Sequence, residues 1–146
     1  MKKFKYFLLM AVVMTMSLNV MADDDDRVIT YQQLPQTAQS FLKQQFAKKV
    51  PLVVTADYDD FTIVYESGEK IEFDKKGNWK EVTCRASKVP NAIIPEQIMT
   101  YVKKNYPGKS VVKMDRHRSV YEVKLNNGME IEFNRNFQVI DVDYDD

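Results

Sequence analysis

The sequence has 146 residues, with 21 basic and 21 acidic side chains, one His and one Cys. A lone Cys excludes an internal disulfide, so packing alone must hold the fold. The balanced charge lacks the basic excess that phosphate neutralisation needs, which excludes nucleic acid as the expected partner.

The first 22 residues read as an export signal. Lys2, Lys3 and Lys5 form a positive start, an apolar run follows from Tyr6 to Leu18, and Val20-Met21-Ala22 offers a cleavage site. That run is about 13 residues, short of the roughly 20 that span a bilayer core, so no membrane anchor is expected. No Cys near Ala22 suggests lipid attachment. The leader contains three Lys and no acid, so the remaining 124 residues are mildly acidic. They suffice for one domain, expected over residues 31–146 and preceded by an acidic flexible stretch at 23–30. The predicted location is periplasmic or secreted.

A helix is predicted from Leu34-Pro35, because Pro suits the first helical turn. Leu34, Ala38, Phe41, Leu42 and Phe46 recur at spacings of three and four, giving one apolar face, and Pro51 sets the latest end. The period then changes to two. Leu52 to Asp57 is rich in β-formers, and Phe61, Ile63 and Tyr65 alternate with Thr62, Val64 and Glu66. Ser67-Gly68 turns the chain, Ile71 and Phe73 continue the apolar face, and Trp79 to Cys84 makes a fourth strand, with Cys84 expected to be buried.

The second half repeats the first. Residues 34–84 lie on 94–144 without a gap, with eight identities in 51 positions, among them Pro35/Pro95, Gly68/Gly128, Ile71/Ile131, Glu72/Glu132 and Phe73/Phe133. Chance would give about three, and the apolar pattern transfers as well. The expected fold class is α+β: two tandem repeats of a helix plus a four-stranded antiparallel meander, joined into one eight-stranded sheet with both helices on one face. Alternation then assigns Thr62, Val64, Lys70, Glu72, Trp79, Glu81 and Thr83, with Lys113, Asp115, Glu122, Lys124, Glu130, Glu132, Val139, Asp141 and Asp143, to an open, charged face.

The order Leu-Pro, amphipathic helix, Tyr101 to Gly108 (YVKKNYPG), then Tyr121-Glu122-Val123 and Asn127-Gly128 before Ile131-Glu132-Phe133 resembles the PepSY-like family of exported bacterial proteins. The resemblance implies two tandem helix-plus-four-strand repeats like those of the β-lactamase inhibitor protein. It also implies an envelope location in a Gram-negative cell and a role in holding or inhibiting another protein. Its motifs are structural, and it transfers no catalytic residue.

The residues themselves point to no catalytic centre and no cofactor. His117 stands alone in Asp115-Arg116-His117-Arg118, without a Ser or Cys partner or a second metal ligand, and reads as a surface-turn residue. The Asp57, Asp59, Asp60 cluster and the Asp141 to Asp146 cluster lack the Gly and distal Glu of a calcium loop. Trp79 is the first candidate for partner binding, since alternation points it outward, and Tyr58 in its acidic turn is the second. With Asp59, His117, Arg118, Glu72 and Glu132 they form the proposed partner-binding set. The reading is a non-catalytic exported module that binds another envelope or secreted protein; the alternative is a periplasmic carrier of a small ligand or cation.

Overall fold

The computed structural model describes residues 26–144. The leader, Asp23 to Asp25, Asp145 and Asp146 lie outside the described residues. Nine strands follow one another in an antiparallel sheet whose spatial order is the chain order: β1 (Arg27–Ile29), β2 (Pro51–Ala56), β3 (Asp60–Tyr65), β4 (Lys70–Asp74), β5 (Trp79–Thr83), β6 (Val111–His117), β7 (Val120–Leu125), β8 (Met129–Phe133) and β9 (Val139–Tyr144). Helix α1 spans Gln36–Gln45 and α2 Glu96–Asn105, each preceded by a short 3-10 turn, Tyr31–Gln33 and Asn91–Ile93. The elements of the second half follow those of the first in the same order, close to sixty residues on.

The chain divides into two units, one running to Ser67 and resuming over Glu72–Asn78, the other made of Gly68–Ile71 and everything from Trp79. In the first unit, the apolar stripe of α1 buries Ala38 and Leu42, and Phe46 closes its end. Phe41 meets Phe73 of β4 edge-on at 5.8 Å, and Phe46 stacks on Tyr65 of β3 at 5.7 Å. Such ring pairs add about 0.5–1.5 kcal/mol each beyond the area they bury. Gly77, at φ +88°, lets the turn after β4 close against the start of α1, where a Cβ would sit 2.9 Å from the Ala38 nitrogen and the Pro35 Cβ. Any side chain there would collide with the helix.

The second unit has its own buried residues. Ile98 and Val102 are buried on α2, and Tyr101 meets Phe133 of β8 edge-on at 5.5 Å. Val123, Leu125, Ile131 and Phe133, alternating along β7 and β8, are fully buried, as two-residue periodicity requires. The position sixty residues after Gly77 is Phe137, which holds φ +61° and stacks on Tyr121 at 5.5 Å. A ring contact thus accompanies a backbone conformation that a Phe adopts only at a cost.

Three expectations need correction. Within the stretch 23–30, expected to be flexible and acidic, Arg27–Ile29 form β1, paired antiparallel with β2 through Arg27 opposite Ala56 and Ile29 opposite Val54. Two apolar side chains and a neighbouring strand suffice to order three residues, and the sheet has nine strands instead of eight. Val139 does not lie on the open face. A bulge in β9 sets Val139 opposite Phe133 while Asp141 stays opposite Glu132, so the alternation counted back from Asp141 breaks at Ile140. Finally, His117 is the last residue of β6, opposite Val120, and the turn proper falls on Arg118, at φ +56°.

Candidate functional site

The open face of the second unit gathers its charged side chains by register. Glu81 on β5 stands opposite Asp115 on β6, Asp115 opposite Glu122 on β7, Glu122 opposite Glu132 on β8, and Glu132 opposite Asp141 on β9. Five carboxylates therefore form one row across five strands. The row beside it runs Thr83, Lys113, Lys124, Glu130 and Asp143 by the same pairings. Directly opposed side chains lie about 4.5–5.5 Å apart, and like charges at that distance destabilise a sheet.

Lys113 supplies part of the compensation, with its Nζ 3.1 Å from Glu81 and 3.6 Å from Asp115. Lys124 does the same for Glu130 at 3.8 Å. For Asp115 this is not enough: burial first, then the neighbouring charges of Glu81 and Glu122, push its carboxyl up to about 6 against the pull of Lys113. Glu122 is raised too, first by burial and then by Glu130, Glu132 and Asp141. Burial works to lower the Lys113 ammonium, but hydrogen bonding to Glu81 and the charges of Asp115 and Glu81 outweigh it, so its pKa is raised. The row is thus strongly acidic and partly screened from water.

The residues singled out from the sequence fall in different places. Glu132 is a member of the row. Glu72 sits half-buried on β4, in the other unit. Trp79 is not exposed: it is 8% accessible, its ring lies under the Arg116 guanidinium at 4.0 Å, and Arg116 Nε donates a 2.7 Å hydrogen bond to its carbonyl. Arg116 is two residues from the buried Met114 and so on the inner side, and Trp79 and Val82, three apart, are both buried. Strict alternation along β5 had placed Trp79 outward, and that expectation fails.

Tyr58, in contrast, is 79% exposed at the tip of the β2–β3 turn. The Asp57 carboxylate accepts hydrogen bonds from the backbone N–H groups of Asp59 and Asp60 at 2.7 and 2.8 Å, which shapes that tip. Lys75 lies over the Tyr58 ring at 4.8 Å and 3.4 Å from the Asp59 carboxylate. His117 and Arg118 are exposed at the β6–β7 turn. Neither turn supplies a member of the row.

Among the described residues, no three His, Cys, Asp or Glu side chains converge as metal ligands. A cavity of about 130 Å³ in the second unit is lined by Lys88, Ile94, Met99, Lys103 and Val111, among others. Ligand pockets usually measure about 300–1,000 Å³, so this one offers little room. Cys84 is buried, as expected for a packing residue. The carboxylate row itself escaped the sequence reading in one respect: alternation gave the face, but only the register of four strand pairs aligns the acids opposite one another.

Comparisons with known proteins agree with this architecture. The family model described as "Putative beta-lactamase-inhibitor-like, PepSY-like" matches residues 59–141. A solved structure from Bacteroides thetaiotaomicron, described as a "putative calcium-regulated periplasmic protein", is 43% identical, with a TM-score of 0.80 over 82% of this chain and 97% of that one. A protein of the DUF2874 family from Bacteroides vulgatus, described as a "putative periplasmic protein", is 44% identical, with a TM-score of 0.79 over 84% and 99%. A further periplasmic protein of unknown function from Bacteroides vulgatus is 29% identical, with a TM-score of 0.77 over 81% and 98%. No curated protein matches the chain. No helix among the described residues is long and apolar enough to cross a membrane. Of the two expected locations, periplasmic or secreted, the description of these structures agrees with the first, and the chain belongs to the PepSY-like family.

Proposed function

We propose that this chain is a non-catalytic envelope module that holds another protein against the open face of its second unit. The observation that carries the reading is the row Glu81, Asp115, Glu122, Glu132 and Asp141. Each acid opposes another across a strand pair, at a cost to the sheet that Lys113 only partly offsets. A basic partner surface would relieve that repulsion on docking, so the charge that strains the free protein would favour the complex. The repeat relation between residues 34–84 and 94–144 belongs to the same reading, supported by eight identities and the matching order of elements. It makes the binding face asymmetric, because among the outward positions of the two central hairpins only Glu72 and Glu132 are shared.

Affinity capture from the envelope fraction tests this with the wild-type protein beside Glu122→Gln/Glu132→Gln. The expected result is a partner that the wild type retains at low salt, releases as salt rises, and that the double variant loses. Equal retention by both proteins would remove the row from the interface.

A second reading, a periplasmic cation carrier, draws on the "calcium-regulated" description of one relative. Calcium would screen the same row of carboxylates. Calorimetric titration with calcium chloride decides: heat and a thermal shift that vanish in Glu122→Gln/Glu132→Gln support it, and the absence of both in the wild type ends it.

A further inference from the structure

β9 closes one edge of the sheet, with β8 as its neighbour in the strand order. Its pairing places Val142 opposite Ile131 and Tyr144 opposite Met129, so both side chains lie on the face where Ile131 is fully buried. Yet Val142 is 42% and Tyr144 57% exposed, and Ile140, displaced by the bulge, is 52% exposed. The positions sixty residues earlier behave differently, for Val82 is 0% and Cys84 1% exposed. Among the described residues, the last strand of the second half therefore leaves uncovered the side chains that the last strand of the first half buries.

What lies beside the earlier strand indicates what would fit the later one. β6 runs antiparallel to β5, with Met114 opposite Val82 and Lys113 opposite Thr83, and Lys113 reaches across to Glu81 at 3.1 Å. The neighbour of β5 thus covers Val82 with the apolar Met114 and sets one basic side chain, Lys113, against the acids Glu81 and Asp115 on the other face. In β9, Asp141 and Asp143 occupy the positions of Glu81 and Thr83, and they already face Glu132 and Glu130 on β8. A strand added at this edge meets apolar side chains on one face and the carboxylates of Asp141 and Asp143 on the other, with Glu132 and Glu130 behind them on β8.

Charge selects the occupant. A second copy adding its own β9 antiparallel about Val142 would set Asp141 against Asp143 of that copy, acid against acid at every outward position, which disfavours pairing. A second copy offering Arg27–Ile29 would present one basic residue within a three-residue strand that directly follows Asp23 to Asp26. An acidic or neutral strand meets the same repulsion or gains nothing.

We infer that the free edge of β9 docks an extended segment of a partner protein in which basic and apolar residues alternate, added antiparallel to β9 as β6 is added to β5. Backbone hydrogen bonds supply sequence-independent attraction, and the alternation supplies selectivity: apolar side chains cover Val142 and Tyr144 while basic ones meet Asp141 and Asp143. The inference rests on the edge alone and stands whether or not the open face binds a partner.

The test uses three fluorescein-labelled synthetic peptides: one alternating Val and Lys over seven residues, the same composition with the lysines consecutive, and an alternating Val and Glu control. Anisotropy titrations with the exported chain are expected to show saturable binding of the alternating Lys peptide, at least about tenfold tighter than either control, a difference of about 1.4 kcal/mol. Amide hydrogen exchange should slow at residues 139–144 on addition of that peptide. Asp141→Lys/Asp143→Lys should reverse the order, so that the Glu peptide binds better than the Lys peptide. Val142→Thr/Tyr144→Thr should weaken the Lys peptide while leaving the carboxylate row in place. Equal binding of the three peptides, protection elsewhere on the chain, or an unreversed order in the Lys variant would each overturn the inference. So would sedimentation showing that the free protein pairs through β9 with a second copy.

Discussion

Asp115→Asn should make the protein more stable at neutral pH. The carboxyl of Asp115 rises from an ordinary 3.8 to about 6 in the folded chain, burial being the largest cause. At about 1.4 kcal/mol per pH unit that corresponds to at most about 3 kcal/mol. The side chain remains 32% exposed, so solvent screening reduces the effect to about 1 kcal/mol. The sign follows from proton counting. Below pH 3.8 the group is protonated both folded and unfolded, and it costs nothing. Between 3.8 and about 6 the folded state holds the proton more tightly, so stability falls as pH rises. Above about 6 the cost of the buried charge is complete. Asn keeps the shape of the protonated acid without its titration. Urea unfolding of both proteins from pH 3.5 to 8 should give equal stabilities at the acid end and a gap that opens through pH 4–6. At pH 7.5 the variant should be ahead by about 1 kcal/mol, which for a domain of this size is about 3–5 °C in Tm. A gap that does not change with pH, or a variant less stable at pH 7.5, would refute the placement of Asp115 among acids that Lys113 compensates only in part.

Gly77→Ala should cost at least about 2 kcal/mol, because a positive φ and a 2.9 Å collision with α1 act together, whereas Gly68→Ala, with open space around its Cβ, should cost only about 1 kcal/mol. Chemical denaturation of the pair separates strain from collision. Arg118→Gly should stabilise by about 1 kcal/mol, since the residue is exposed at φ +56°, and a rise in denaturation midpoint checks it. Trp79→Ala should destabilise by about 3–5 kcal/mol by removing a buried ring from beneath Arg116, while Tyr58→Ala should stay within about 0.5 kcal/mol of the wild type. Thermal melts measure both, and a mild Trp79→Ala would mean that the ring is not part of the core.

Much of the fold could be read from periodicity. The stripe of Ala38, Leu42 and Phe46 and the alternation of Val123, Leu125, Ile131 and Phe133 are direct consequences of helix and strand geometry, and these side chains are buried as that geometry demands. β1 escaped because three residues carry too little alternation to register, and its order comes from β2 rather than from itself. Val139 breaks the alternation because a two-residue count holds only while no residue is inserted, and the bulge in β9 inserts one at Ile140. The burial of Trp79 depends on Arg116, a contact from another strand that counting along β5 does not reveal. The acids of the candidate site were visible singly. Their alignment was not, because register depends on three hairpin turns and on the pairing of β5 with β6, which lie far apart in sequence.

The agreement of spatial order with chain order has a kinetic consequence. Every strand lies beside its predecessor, so no pairing waits for a segment that has not yet appeared. The two longest connections to close, from Ile29 to Val54 and from Thr83 to Lys113, each enclose one α-helix. Helices form in about a microsecond or less and shorten the span while it searches for its partner. Topologies dominated by such near-neighbour pairings fold faster than those built from distant ones. A chain delivered across a membrane in extended form, N-terminus first, could then complete each ladder in the order of arrival, with the acidic edge strand added last.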